Sequence, residues 1–132
     1  LLGIMLKSYG FNMNFAPVLD VNSNPNNPVI GDRSLGDDPN IVRMLGVQTM
    51  KGMQTENIIP TIKHFPGHGD TSVDSHFELP TVNKSLAQLE QLELLPFSHA
   101  IESGAEVVMI AHLLLPKIDP ERRSSLSYDV IT

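Results

Sequence analysis

The apolar positions of this chain fall into short runs separated by long polar stretches. Leu1-Leu2-Gly3-Ile4-Met5-Leu6 reads as part of a helix, and Gly10 stands where a left-handed residue would end it. From Phe11 to Phe15 apolar residues alternate with Asn12 and Asn14. This predicts a strand that continues toward Val18 and Leu19, is broken by Pro17 and leaves Asp20 at its end. Asp38-Pro39 supplies an N-cap and a proline at the first helical position. Ile41, Val42, Leu45, Met50 and Met53 then recur on one helical face to about Thr55, with the methionines expected in the core. Ile58-Ile59-Pro60-Thr61-Ile62 reads as a buried strand. Ser85 and Gln88 form a capping box for a helix over 86–95, which Pro96 kinks or restarts and which runs on to Ser103 and Gly104. Val107 to Ala111 is another buried strand, ending at His112, and Ser127 starts one more helix.

Strands alternate with helices, so the expected class is α/β, a parallel sheet with helices outside it. In each unit the polar candidates come after the strand: Asp20 and Arg33, then Lys63 to His76, then His112. That layout fits a (β/α)8 barrel or a doubly wound sheet. No Gly-x-Gly-x-x-Gly follows a strand and no Walker sequence is present, which favours the barrel. A closed barrel needs about eight strands and roughly 250 residues. The expectation is therefore a partial TIM barrel of about three βα units, with residues 1–132 an internal fragment of a larger catalytic barrel domain.

Composition removes several function classes. Against 15 acidic residues stand 9 basic ones, for a net charge of −6, and no Lys/Arg cluster exists, so a nucleic-acid surface is not expected. Without cysteine there is neither a disulfide nor a thiolate metal site. No apolar run approaches the roughly 18 residues that span a bilayer. The first residues lack the basic region and cleavage site of a signal peptide. None of this sets the compartment.

The chemistry concentrates in Lys63-His64-Phe65-Pro66-Gly67-His68-Gly69-Asp70-Thr71-Ser72-Val73-Asp74-Ser75-His76. Pro66, Gly67 and Gly69 exclude a helix, and ionisable groups on a loop behind an apolar strand are placed for a site rather than a core. Asp74 can orient the His76 ring, leaving the other ring nitrogen to move a proton; a local loop brace explains the pair equally well. Lys63 and His64 at the strand end suit hydroxyls or an anion, or else form a solvated rim. His68 and Asp70 are expected to hold the loop's own backbone. Arg33 suits a polyol or carboxyl group, unless Asp32 or Asp37 takes it in an ion pair. A zinc hydrolase using His64, His68, Asp70, Asp74 and His76 is one alternative, although Pro66 and Gly67 remove the helical His-x-x-x-His spacing. A sugar-binding module without chemistry is the other.

The same stretch, from Lys63 to Gly69 and then Asp74-Ser75-His76, resembles the signature of bacterial β-N-acetylglucosaminidases of glycoside hydrolase family three. Asn14 to Asp20, Ile30 to Ser34, Leu94 to Phe97 and Val108 to His112 resemble further blocks of that family in the same order. The resemblance implies a (β/α)8 barrel and a retaining β-N-acetylhexosaminidase that removes terminal N-acetylglucosamine from peptidoglycan-derived glycans, without a cofactor or metal. It implies His76 as acid/base with Asp74 as its partner, and Arg33, Lys63 and His64 as ligands of the sugar hydroxyls. A neutral imidazole base would not repel an anionic acceptor, so phosphorolysis stays open beside hydrolysis. The family's nucleophile is an Asp on the strand after the one ending at His112, which places it beyond Thr132, and the isolated chain is expected to be inactive.

Overall fold

The computed structural model describes residues 1–72 and 79–132. A parallel sheet of three strands, β1 (Met13–Asn14), β2 (Ile59–Phe65) and β3 (Val107–Ile110), runs in the order β1-β2-β3. After the N-terminal helix α1 (Leu2–Ser8), helix α2 (Pro39–Gln54) links β1 to β2. Helices α3 (Leu86–Gln91) and α4 (Leu94–Glu102) link β2 to β3. Both α2 and α4 pack on β2 and on each other, so the two crossovers cover one face of the sheet. Sequential parallel neighbours with helices on one side only are a sector of a (β/α)8 barrel; a doubly wound sheet is covered on both faces.

Leu19, Val21 and Ile62 meet Val42, Val47 and Met50 of α2 and Phe97 and Ala100 of α4, all buried, to make the core beneath the sheet. Phe65 stands edge-on to Phe97 with ring centroids 5.5 Å apart. The caps act as the sequence leads one to expect: Asp38 accepts from the Asn40 amide, and Ser85 with Gln88 closes a capping box. Gly10 and Gly104 adopt positive φ at the helix ends.

Four expectations change. On α2, Ile41 and Leu45 are 42% and 40% exposed, while the buried stripe runs Val42, Gly46, Val47, Met50 and Met53. A hydrophobicity pattern skips Gly46, yet the Leu19 side chain packs where a Cβ there would stand, 2.2 Å away. The first strand is only Met13–Asn14, although its bonding to β2 resumes beyond the interruption, with Leu19 N–H donating to Lys63 O at 2.7 Å. β3 is half-buried rather than buried, because β2 is its only partner in the sheet among the described residues. An antiparallel hairpin of β4 (Leu114–Leu115) and β5 (Asp119–Arg123) was not foreseen: Asp119-Pro120-Glu121-Arg122-Arg123 has no alternation to read. The last helix, α5 (Tyr128–Ile131), starts after Ser127 without a side-chain cap bond. Among the described residues no helix is long and apolar enough to cross a membrane.

Candidate active site

β2 carries the front of the signature. Lys63 pairs with Met109 and Phe65 with Ile110, so the register slips by one residue at His64, a bulge at the strand's C-terminal end. Bulges re-aim side chains, and this one falls at the Lys63–His64 step. The loop behind them is clamped by the long Asn/Pro-rich loop over 22–38. Buried Asn27 donates from Nδ2 to His68 O at 2.8 Å and accepts at Oδ1 from the Val29 and Ile30 amides, both at 2.8 Å. The two loops touch so closely that a Cβ on Gly69 would lie 1.7 Å from Val21 O. Only glycine permits that approach.

Asp20 stands at the centre. It is fully buried, and its carboxylate takes the His68 amide at 2.6 Å, the His64 amide at 3.3 Å and His64 Nδ1 at 2.7 Å. The His64 side chain keeps 17% of its surface exposed, so one ring edge is held inward and the other remains accessible. Lys63 lies in the same neighbourhood. Burial pushes its pKa down, the Arg33 guanidinium pushes it further, and the Asp20 carboxylate restores only part. No described residue forms a hydrogen bond or ion pair with Lys63 Nζ. Arg33 is exposed at the end of a 3-10 turn (Gly31–Arg33) and donates to Val29 O at 3.2 Å. The Asp32 or Asp37 ion pair that the sequence equally allows does not form.

The structure thus brings Arg33, Lys63 and His64 together around Asp20. Asp74 and His76, the pair assigned to proton transfer, lie outside the described residues. His68 does serve its own loop, with Nδ1 2.6 Å from Thr71 Oγ1, and its ring meets that of His64 edge-on at 6.3 Å. Among the described residues Asp70 pairs with Lys84 Nζ at 2.6 Å, and the same ammonium bonds buried Glu93. His112 ends β3 exposed, with Nδ1 2.7 Å from Ser125 Oγ. Among the described residues no group of three His, Asp or Glu could hold a metal ion. Sequence reasoning missed Asp20's part. Its position at a strand end was a usable signal, but its partner is 44 residues away.

Residues 3–132 match the family model for the glycosyl hydrolase family 3 N terminal domain. The chain is 41% identical to a beta-hexosaminidase A of Pseudoalteromonas piscicida over 99% of its own length and 24% of that protein's. It superposes with a TM-score of 0.96 and 49% identity on a glycoside hydrolase family 3 beta-N-acetylglucosaminidase from Paenibacillus sp. str. FPU-7, covering 98% of this chain and 25% of that one. It is also similar, with a TM-score of 0.89 and 36% identity, to the NagZ of Neisseria gonorrhoeae in complex with N-trifluoroacetyl-D-glucosamine, over 96% of this chain and 36% of that one. The chain therefore spans between 24% and 36% of the length of these relatives.

Proposed function

The chain belongs to glycosyl hydrolase family 3, and from that premise we propose that residues 1–132 are an internal part of the catalytic barrel of a longer, retaining β-N-acetylglucosaminidase. Its substrate would be a glycan ending in N-acetylglucosamine, such as a peptidoglycan fragment. The observation that carries this reading is the cluster at the tip of β2: Lys63, unpaired among the described residues, stands near Arg33 and beside a His64 held in place by Asp20. Such donors, with no charge partner among the described residues, suit the hydroxyls of a sugar.

In this reading protonated His76 gives its proton to the leaving oxygen as the bond to the anomeric carbon breaks and a carboxylate nucleophile takes its place. Neutral His76 then removes a proton from water, whose oxygen displaces the carboxylate and restores it. Asp74 orients the ring and stabilises the imidazolium. The nucleophile is supplied outside residues 1–132, so the isolated chain does not turn over. Hydrolysis of an aryl N-acetylglucosaminide by the purified 132-residue chain would refute that part. The acid role is tested in the longer enzyme: His76→Ala is expected to slow poor leaving groups by about 10²–10⁴-fold and activated aryl groups far less. An equal loss for both would overturn it.

A further inference from the structure

The Asp20–His64 contact determines more than where a ring sits. A carboxylate only accepts hydrogen bonds, so the ring nitrogen 2.7 Å from Asp20 Oδ2 must carry its hydrogen. The carboxylate is fully buried, and its remaining capacity is taken by the His64 and His68 amides, so it has no freedom to turn away. In the neutral imidazole this leaves the lone pair on Nε2, at the accessible edge of the ring. Lys63, the preceding residue, and Arg33, whose charge acts on Lys63, offer hydrogens and no acceptor.

We propose that Asp20 is a positioning residue that fixes His64 as the hydrogen-bond acceptor of this donor-rich mouth, so that the Lys63–His64 pair selects a ligand hydroxyl over a group of the same size that can only accept. A hydroxyl gives its proton to Nε2 and takes one from Lys63 Nζ. A fluorine or ether oxygen in its place satisfies the lysine but leaves Nε2 facing a second acceptor, and an unsatisfied pair of this kind is what makes a polar site discriminate. The selection rests on the sugar-binding reading above; the tautomer does not.

The tautomer is read first, by ¹⁵N NMR of the imidazoles in the complete protein without ligand at about pH 8, where an ordinary histidine is neutral. The expected spectrum places His64 Nδ1 among protonated and Nε2 among lone-pair nitrogens. The reverse assignment overturns the proposal, whatever the protein binds. The selection is then read by calorimetry with N-acetylglucosamine and its deoxyfluoro analogues, each hydroxyl replaced in turn. At least one replacement is expected to weaken binding about tenfold in the native protein and to have no effect once His64→Ala is present. Asp20→Asn is expected to weaken sugar binding alone but not in the His64→Ala background, whereas a purely structural Asp20 would cost the same in both. If Asp20→Asn fails to fold, the wild-type spectrum and the fluorine scan decide. Absence of any binding by N-acetylglucosamine sinks the proposed function, and the selection with it, while the spectrum alone still decides the tautomer.

Discussion

Lys63 and Lys84 are both half-buried, and each stands near a buried carboxylate, Asp20 for the first and Glu93 for the second. Their charges fare differently. Burial and the Arg33 guanidinium hold the Lys63 pKa below the ordinary lysine value, and the attraction of the Asp20 carboxylate restores only part of it. Burial also pulls on Lys84, but hydrogen bonds to Asp70 and Glu93, together with their charges, outweigh it and hold its pKa above that value. Lys84 ties residue 70 of the signature loop to the beginning of α4 and is consumed in doing so. Among the described residues none claims the hydrogens of Lys63. A cation that burial destabilises and that no described residue pairs is available to a ligand.

The sharpest way to break the contrast is at the seam both environments share. In Gly69→Ala the added methyl collides with Val21 O, so the two loops must part, and a loss of about 4 kcal/mol is expected from urea denaturation. Lys84→Met strands the Glu93 carboxylate inside the protein. Breaking a fully buried pair costs about 3–5 kcal/mol; with 23% of the Lys84 side chain still exposed, about 2 kcal/mol is expected. Adding Glu93→Leu should recover most of that loss, and a double variant no more stable than Lys84→Met would show that the pair is not what holds the loop. Lys63→Met should invert the pattern: stability within about 0.5 kcal/mol of the native protein, but sugar binding weaker by about 10–100-fold.

The smallest effect lies in the alkaline range. Lys63, with its folded pKa below 10.5, makes stability rise as pH climbs from the folded value toward the unfolded one. Lys84, with its folded pKa above 10.5, contributes stability that is complete below the unfolded value and is lost as pH passes through the folded one. Denaturation midpoints between about pH 8 and 11 should therefore lose their rise in Lys63→Met and their fall in Lys84→Met. The same slope in both variants would erase the distinction between the two lysines.

Much of this was legible along the chain. Asp38-Pro39, Ser85 with Gln88, and Gly104 mark helix ends through bonds made within a few residues, so local sequence suffices to place them. The burial of Gly46, the interrupted pairing of residues 13–19 and the charged β5 were not legible. Each depends on what another segment brings: Leu19 into the space above Gly46, β2 alongside an irregular strand, β4 beside Asp119–Arg123.

By itself the sequence determined the βα alternation and the side of the sheet on which the polar groups gather, because periodicity, caps and strand ends are local properties. Only the tertiary structure decided that Asp20 is the carboxylate that holds His64 and that Asp70 pairs with Lys84. Those choices follow from parallel register and loop contact, which set residues tens of positions apart within hydrogen-bonding distance, and no pattern along one strand records which of several carboxylates will be the one that arrives.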